Sequence, residues 1–241
     1  MRRLALALVL VLLVGVGWTT GRTDGPVTVY AAASLAQVLP RIAPAARAQF
    51  AGSNQLALQI RQGAPADVFA SASAIYTHDL FRDGLVERPR TFATNSLVLA
   101  VPKRNPARIR TVFDLARRPK LKLVVAGPKV PAGLYTREVL KRLGLLRVLR
   151  RTVSQEPDVK GIVGKLALGE ADAGFVYATD VRASSGRLVA IPLPKRAQPT
   201  IRYEVAVVRG SKNRAGAFEL IADLLGADVR RELARAGFGV P

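Results

Sequence analysis

The sequence predicts an α/β protein with two lobes, each a mainly parallel sheet flanked by helices. Short apolar runs alternate with helical patterns along most of the chain, which is typical of parallel α/β units. Two long apolar runs, 96–101 and 203–208, are flanked by irregular chain, and we expect them to be the crossings between the lobes. About 220 residues follow the apolar N-terminus, which is enough for two lobes of about 100 residues each.

The chain begins with a short basic segment followed by an apolar one. The letters M-R-R precede an apolar run over 4–14, which is shorter than the roughly 20 residues of a membrane-spanning helix. We therefore expect residues 1–21 to be a signal peptide. An uncleaved N-terminal anchor is the alternative, because no clear cleavage site is present. The chain has no cysteine, which excludes a cysteine-linked lipid anchor and disulfide bonds.

Glycine and proline residues mark the elements of the first half. Gly63 with Pro65, and then Gly84, end two helices, and Pro102 closes an apolar strand. The predicted elements are, in order, a strand at 27–30, a helix at 34–43, a strand at 48–50, a helix at 56–62, a strand at 67–71, a helix at 74–83 and a strand at 96–101.

The second half continues the alternation, with Gly144 and Gly169 ending two helices. The predicted elements are a helix at 112–116, a strand at 121–126, helices at 132–143 and 158–168, strands at 173–177, 188–191 and 203–208, and helices at 215–225 and 228–236. We expect the last two helices to return to the first lobe. One lobe then spans 26–97 together with 206–241, and the other spans 98–205.

The chain is strongly basic, with 37 Lys and Arg against 17 Asp and Glu and a net charge of +20. The basic residues are spread in ones and twos, with no basic tail and few aromatic residues between them for base stacking. This distribution argues against nucleic acid as a partner. The charge instead creates a field that attracts small anions.

Small and polar residues stand at four strand-to-helix junctions. Helix N-termini expose unpaired N–H groups and a positive dipole end, and in α/β sheets they meet at the carboxyl ends of strands. An anion site is therefore predicted where these junctions converge. The junctions are Ala33-Ser34, Phe50-Ala51-Gly52-Ser53-Asn54-Gln55, Val130-Pro131-Ala132-Gly133 and Glu156-Pro157-Asp158-Val159-Lys160.

Three residues at or after these junctions have a predicted local role. Ser34 and Gln37 have the spacing of a capping box, so we expect Ser34 at a helix N-terminus. Asp158 is placed to cap the next helix and to leave the N–H of Val159 free. Tyr177 ends an apolar strand, where its O–H can donate into a crevice. Taken singly, a plain helix cap for Ser34 and a half-buried core tyrosine remain the alternatives.

The order and spacing of these pieces resemble the molybdate-binding proteins of bacterial molybdate ABC transporters. The resemblance covers nearly the whole chain after the N-terminal segment, from 27 to about 238. Its most specific stretches are A-A-A-S-L (31–35), L-A-L-Q-I-R-Q-G-A-P-A-D-V-F-A-S-A (56–72), N-S-L-V-L-A-V-P (95–102), V-P-A-G-L-Y (130–135), D-V-K-G (158–161), V-Y-A-T-D (176–180) and Y-E-V-A-V-V (203–208).

The resemblance implies a two-lobed, type II-like periplasmic binding protein that closes on a ligand in the interlobe cleft. In that family two serine hydroxyls, backbone N–H groups and a tyrosine O–H hold the oxyanion. Carried over motif by motif, the binding residues are Ser34, Ser53, Ala132, Val159 and Tyr177. Molybdenum is then bound only as the oxyanion, through these same residues.

Two departures from the family pattern concern the second serine. The segment between Ser34 and Ser53 is shorter than is usual, and the residues after Ser53 lack the usual serine and glycine. Asn54 is therefore an alternative source of the second side-chain donor.

The resemblance implies molybdate, with tungstate, as the ligand, and the chemistry of these ions fits a site made only of donors. Both ions are dianions without a proton, so they only accept hydrogen bonds. Hydrogen phosphate carries an O–H that needs an acceptor, whereas sulfate does not, so only cavity size can reject sulfate. A binding protein for another tetrahedral oxyanion such as sulfate is the alternative.

Enzymatic chemistry has little support in the sequence. His78 is the only histidine and Asp67 has no second carboxylate placed beside it, so no zinc site, triad or general-base pair is predicted. The run Gly161–Lys165 has the wrong spacing for a phosphate loop. We expect a monomeric, non-enzymatic, periplasmic or otherwise extracytoplasmic solute-binding protein. It has no cofactor, and its partners are a small oxyanion and a membrane ABC permease.

Overall fold

The computed structural model describes residues 25–118 and 120–241. The predicted signal peptide or anchor, 1–21, lies outside the described residues. Within them, no helix combines the length and apolar character needed to cross a membrane.

Alternating strands and helices form the described chain, as the sequence predicts. The strands are β1 (Thr28–Ala32), β2 (Arg47–Ala51), β3 (Val68–Ser71), β4 (Arg90–Asn95), β5 (Leu97–Pro102), β6 (Leu123–Ala126), β7 (Thr152–Glu156), β8 (Ala173–Tyr177), β9 (Leu188–Pro192) and β10 (Ile201–Val207). The α-helices are α1 (Leu39–Ile42), α2 (Ser53–Arg61), α3 (Ala74–Arg82), α4 (Asp114–Arg117), α5 (Pro131–Arg142), α6 (Val159–Ala167), α7 (Ala178–Arg182), α8 (Arg214–Leu224) and α9 (Ala227–Arg235).

The strands form two five-stranded sheets with the same arrangement. Their orders are β2-β1-β3-β10-β4 and β7-β6-β8-β5-β9. In each sheet three neighbouring strands pair in parallel, and the fourth strand, β10 or β5, pairs antiparallel on both sides. Four of the five strands in each sheet therefore run in one direction. The predicted two-lobed α/β fold with mainly parallel sheets is confirmed.

Each sheet and the helices packed on it form one lobe. The first lobe carries α2, α3, α8 and α9 on its sheet, and the second carries α5, α6 and α7. One large apolar cluster runs through both lobes, and a smaller one lies beneath α2 and α3. The last two helices pack against β10 and β4, in the first lobe.

The chain crosses between the lobes at two places. The first crossing lies at Ser96, between β4 and β5, and the second lies in 193–200, between β9 and β10. The predicted boundaries, after 97 and after 205, differ from these. Leu97 pairs in the second sheet and residues 201–205 pair in the first. The two apolar runs expected to be the crossings are therefore strands that follow a crossing, since each lies wholly in one sheet.

The predicted helix at 34–43 is wrong. The chain instead forms a short 3-10 helix, Ala33–Leu35, and then α1, and Ala32 rather than Ser34 is the N-cap. A continuous helix would need an N–H at Pro40 to bond the turn before it, and proline has none. The helix therefore restarts with Pro40 in its first turn, and the capping box of Ser34 with Gln37 does not form.

Five further elements were missed by the sequence prediction. They are β4, β7, α7 and two 3-10 helices, Leu146–Arg151 and Lys195–Ala197. The strands β4 and β7 lie at sheet edges. In β7 exposed and half-buried residues alternate, and β4 has only two buried residues, so neither has the apolar run of a central strand.

Two glycines of the second lobe give a matched test of its packing. A Cβ on Gly174, in β8, would lie 2.6 Å from Ile162 Cγ2 and 2.9 Å from the carbonyl oxygen of Val124. A Cβ on Gly164, in α6, would meet nothing within 4 Å. We expect Gly174→Ala to lower the free energy of unfolding by about 1–3 kcal/mol, because the added methyl group would overpack the core.

Gly164→Ala is the control, and it should raise the free energy of unfolding by about 0.4–1 kcal/mol. Urea unfolding of both variants measures the difference. Equal effects would contradict the close packing of β8 against α6.

Candidate functional site

A small closed cavity lies where the carboxyl ends of strands from both lobes face each other. It is lined by turns that follow β1, β2 and β3 in the first lobe and by the N-termini of α5 and α6 and the end of β8 in the second. The lining residues are Ala32, Ala33, Ser34, Ala51, Gly52, Ser53, Ala72, Val130, Pro131, Ala132, Asp158, Val159 and Tyr177. Its volume is about 10 Å³, which is room for about one water molecule.

All five residues predicted to bind the oxyanion line this cavity. They come from five different elements, and each is between 1% and 5% exposed. Asn54, the alternative donor, lies outside the lining, and its buried Oδ1 has no hydrogen-bond partner among the described residues. The structure therefore brings the predicted residues together and places Ser53 rather than Asn54 at the cavity.

Ser34 is held by a residue that the sequence analysis missed. Its Oγ lies 2.8 Å from the hydroxyl of Tyr203, in β10. Asn95 Nδ2 lies 3.5 Å from the same hydroxyl. Because an amide NH₂ only donates, Asn95 donates to the Tyr203 oxygen. Either hydroxyl of the Ser34–Tyr203 pair can donate the hydrogen bond between them. The motif Y-E-V-A-V-V contains Tyr203, but its position in a strand gives no sign that its hydroxyl reaches Ser34.

Ser53 is the first residue of α2, directly after the turn that follows β2. The backbone N–H of Ala72 donates to Ser53 Oγ at 3.1 Å. The oxygen of the hydroxyl is thus used as an acceptor within the first lobe, and its proton remains available to an acceptor in the cavity.

Two backbone N–H groups come from the first turns of helices in the second lobe. Ala132 follows Pro131 in the first turn of α5, and Val159 is the first residue of α6. Asp158 Oδ1 accepts from the N–H groups of Lys160 and Gly161, at 2.7 and 3.2 Å. The predicted cap is confirmed. It leaves the N–H of Val159 without a protein acceptor in the described chain.

Gly133 lets the first turn of α5 pack closely against the end of β6, beside the cavity. A Cβ at this position would lie 2.1 Å from the carbonyl oxygen of Gly127 and 2.6 Å from that of Ala126. Only glycine fits this close approach of α5 to the loop after β6. The N-terminus of α5 is therefore brought against the end of β6, where Ala132 reaches the cavity.

The phenol of Tyr177 is buried and unpaired. Its hydroxyl has no hydrogen-bond partner among the described residues, although the side chain is 1% exposed. Its ring packs edge-on against Tyr203, with centroids 5.9 Å apart, and against Tyr135, at 6.5 Å. Burial raises the pKa of Tyr177 well above its usual value, and the neighbouring tyrosines and Asp180 add to the shift. The Tyr177 hydroxyl therefore keeps its proton and has no acceptor for it among the described residues.

An ion pair between the buried Asp180 and Lys160 holds the backbone of Tyr177 beside the cavity. Asp180 Oδ2 accepts the backbone N–H of Tyr177 at 3.2 Å, and its Oδ1 lies 2.9 Å from Lys160 Nζ. Burial raises the pKa of the Asp180 carboxyl, and the Lys160 ammonium opposes the shift. Lys160 follows Val159 in the chain, yet its charge is directed to Asp180 and it does not line the cavity. No lysine or arginine is among the lining residues.

Three contacts close the lobes over the cavity. Tyr135 of α5 donates to the carbonyl oxygen of Ala72 at 3.2 Å, and Tyr76 of α3 donates to that of Lys129. A Cβ on Gly52 would lie 2.6 Å from the carbonyl oxygen of Pro157 in the other lobe. The two lobes are therefore in direct contact beside the cavity.

The structure gives the remaining polar candidates structural roles. His78 Nε2 lies 3.3 Å from Glu204 Oε2, away from the cavity. Asp67 Oδ2 accepts the N–H of Thr28 at 2.7 Å, and its Oδ1 accepts from Ser211 at 2.6 Å. The described residues contain no group of three or more His, Cys, Asp or Glu placed to hold a metal ion.

Comparisons with known proteins give the family of the chain. Residues 27–239 match the family described as bacterial extracellular solute-binding protein. The molybdate-binding protein ModA of Mycobacterium tuberculosis is 35% identical over 233 residues, covering 92% of this chain and 88% of its own length.

Two solved structures share the fold. The periplasmic molybdate-binding protein of Azotobacter vinelandii has a TM-score of 0.79 and 23% identity, with 89% of this chain and 99% of that chain covered. The sulfate-binding protein SubI of Mycobacterium tuberculosis has a TM-score of 0.76 and 15% identity, with 89% and 86% covered. At these identities the likeness concerns the fold alone. The family model and the mycobacterial relative establish the relationship: the chain belongs to the bacterial extracellular solute-binding proteins and, within them, to the family of the molybdate-binding ModA proteins.

Proposed function

We propose that the closed cavity binds molybdate, and tungstate in the same way, for delivery to a membrane ABC permease. The observation that carries the proposal is the set of donors around the cavity. Three hydroxyls and the N-termini of α2, α5 and α6 converge there, and no lysine or arginine lines it. The relative named for molybdate binding, which is 35% identical over most of the chain, supports the same ligand.

The hydroxyl protons are directed by contacts within the protein. Ser53 accepts from Ala72, so its own proton is left for the ligand. An oxyanion that accepts the Ser34 proton makes Tyr203 the donor to Ser34 Oγ. Tyr177 has no other acceptor. The N–H groups of Ala132 and Val159 add two donors from the second lobe. The ligand is then held by both lobes, and its binding favours their closure.

The donors can replace the water that the ligand gives up. A hydrogen bond to a charged group contributes about 1.5–3 kcal/mol, and converging helix N-termini stabilise negative charge. Because the residues around the cavity are nearly fully buried, these bonds form in a medium of low dielectric, where they are stronger. Seating a tetrahedral oxyanion requires a small outward movement of the lobes from the arrangement described here, since the closed cavity has the volume of one water molecule.

The same donor set separates the ligand classes. The five donors offer no acceptor to the proton of hydrogen phosphate, and leaving that proton unpaired costs about 1–3 kcal/mol. The carboxylate in the lining, Asp158, already accepts from two N–H groups of α6 through its Oδ1. Sulfate carries the same charge as molybdate and no proton, so discrimination against it depends on size. The fold does not decide between these ions, because a sulfate-binding protein shares it.

A binding role without catalysis accounts for the rest of the site. The one carboxylate in the lining, Asp158, caps α6 through its Oδ1, and no second carboxylate or histidine of the described chain lines the cavity beside it. The family supports an extracytoplasmic location and a permease partner. We keep the expectation of a monomer without a cofactor. A tether through residues 1–21 falls outside the described residues.

A thermal-shift series tests the proposed ligand. Molybdate, tungstate, sulfate and phosphate are added at equal concentration to the full chain. A ligand at 100 times its dissociation constant stabilises the protein by about 2.7 kcal/mol. We expect large shifts with molybdate and tungstate and small shifts with sulfate and phosphate. Equal shifts with all four would reject the proposal in favour of a general attraction of anions.

Tyr177→Phe tests the hydroxyl donor. The free energy of molybdate binding should become less favourable by about 1.5–3 kcal/mol, because one hydrogen bond to a charged ligand is lost. The stability of the free protein should not fall, since that hydroxyl has no partner to lose. Tyr30→Phe is the matched control, because Tyr30 lies in the separate cluster beneath α2 and does not line the cavity. Titration calorimetry measures both, and an unchanged affinity in Tyr177→Phe would remove this residue from the site.

The pH dependence of binding follows from the buried phenols. Burial raises the pKa values of Tyr177 and Tyr203 well above their usual value, so both keep their protons where an ordinary phenol, with a pKa of about 10, is half ionised. The bound form requires these protons. We expect the affinity for molybdate to stay constant from pH 7 to about pH 10. A loss of affinity with a midpoint at or below about pH 10, where an ordinary phenol ionises, would contradict the raised pKa values.

A further inference from the structure

A second, larger crevice lies beside the proposed ligand cavity and shares Ser34 with it. Its volume is about 410 Å³, and it is lined by residues of both lobes. Three of them are arginines: Arg41 at the end of α1, Arg182 at the end of α7 and Arg235 at the end of α9. The described lining contains no aspartate or glutamate. The crevice is thus strongly positive, whereas the cavity behind it has no cation.

The charges of Arg41 and Arg182 are not neutralised by the protein. Neither side chain has a carboxylate within ion-pair distance in the described part of the chain. Arg235 pairs with Glu232, one turn earlier on α9. Two free guanidinium groups, one from each lobe, therefore face the crevice, and a third lies beside them.

Stabilisation of helix ends does not explain why the three arginines lie in one crevice. Cations favour the C-terminus of a helix, and all three arginines stand in a last turn. However, α1 has four residues and α7 has five, so their dipoles are small. The three helices also belong to different parts of the chain and to both lobes, and only the fold brings their ends to one crevice.

Arg182 connects the two lobes at this crevice. A Cβ on Gly237 would lie 3.1 Å from Arg182 Cδ, so the side chain from the second lobe lies directly over the C-terminal segment of the first. When the lobes separate, Arg182 moves with one lobe and Arg41 with the other. The positive charge then flanks the opening that leads to Ser34.

We infer that Arg41, Arg182 and Arg235 form a vestibule that collects tetrahedral dianions and passes them to the amide- and hydroxyl-lined cavity. The inference rests on the proposed function and adds an entry route to it. A guanidinium attracts any oxyanion, so the vestibule raises the rate of capture without selecting the ligand. Selection takes place in the inner cavity. Because that cavity has no cation of its own, the ligand forms no salt bridge there that would slow its release.

Stopped-flow association with molybdate tests the inference on the full chain, with intrinsic fluorescence as the signal. The variant Arg41→Gln/Arg182→Gln is compared with Arg88→Gln/Arg150→Gln, which removes the same charge from exposed positions outside the crevice. Electrostatic steering changes association rates by about 10 to 1,000-fold in total. We expect the vestibule variant to bind about threefold to tenfold more slowly at 10 mM ionic strength. The control should differ from wild type by less than about twofold.

The salt dependence gives the second readout. The Debye length falls from about 30 Å at 10 mM to about 8 Å at 150 mM, so the difference between the two variants should shrink at the higher salt. Dissociation rates should be the same in all three proteins.

Equal association rates in the two variants would overturn the vestibule, because only the overall charge would then matter. A change confined to dissociation would overturn it as well. A wild-type chain that binds neither molybdate nor tungstate would instead reject the proposed function itself, so the two failures are distinguishable.

Discussion

A buried dianion without a cation beside it can be stable only if its hydrogen-bond donors are fixed before it arrives. Otherwise the cost of ordering them would offset much of what each bond contributes. In this protein the donors are fixed by their other contacts. Tyr203 holds Ser34, Ala72 holds Ser53, and Asp180 holds the backbone of Tyr177. The proposed site is thus a set of protons directed at one point by the surrounding core.

The fold brings these groups together because both sheets end at the same place. In each lobe three parallel strands run toward the cavity, and their carboxyl ends meet helix N-termini. The antiparallel strand of the first lobe, β10, contributes Tyr203. Asn95 is the last residue of β4, directly before the crossing to the second lobe. Two residues near the crossings, Asn95 before the first and Tyr203 after the second, therefore supply the contacts that orient Ser34.

The sequence predicted which residues lie together at the cavity, but not the local structure around Ser34. The five predicted residues line one cavity, and the cap at Asp158 forms as expected. The helix expected after Ser34 does not form, because Pro40 interrupts it. The positions of Tyr203 and of the crossings depend on which strands pair, and strand pairing over more than 100 residues leaves no local pattern. Periodicity gives the direction of a side chain relative to its own sheet, but not its partner on another element.

A crystal structure of the protein grown with molybdate tests most directly whether uncharged donors hold the ligand. It should show the oxyanion between the lobes, with its oxygens accepting from the hydroxyls of Ser34, Ser53 and Tyr177 and from the N–H groups of Ala132 and Val159. No lysine or arginine side chain should lie within hydrogen-bond distance. A guanidinium or ammonium group bonded to the bound oxyanion, or an oxyanion bound outside this cavity, would contradict the account.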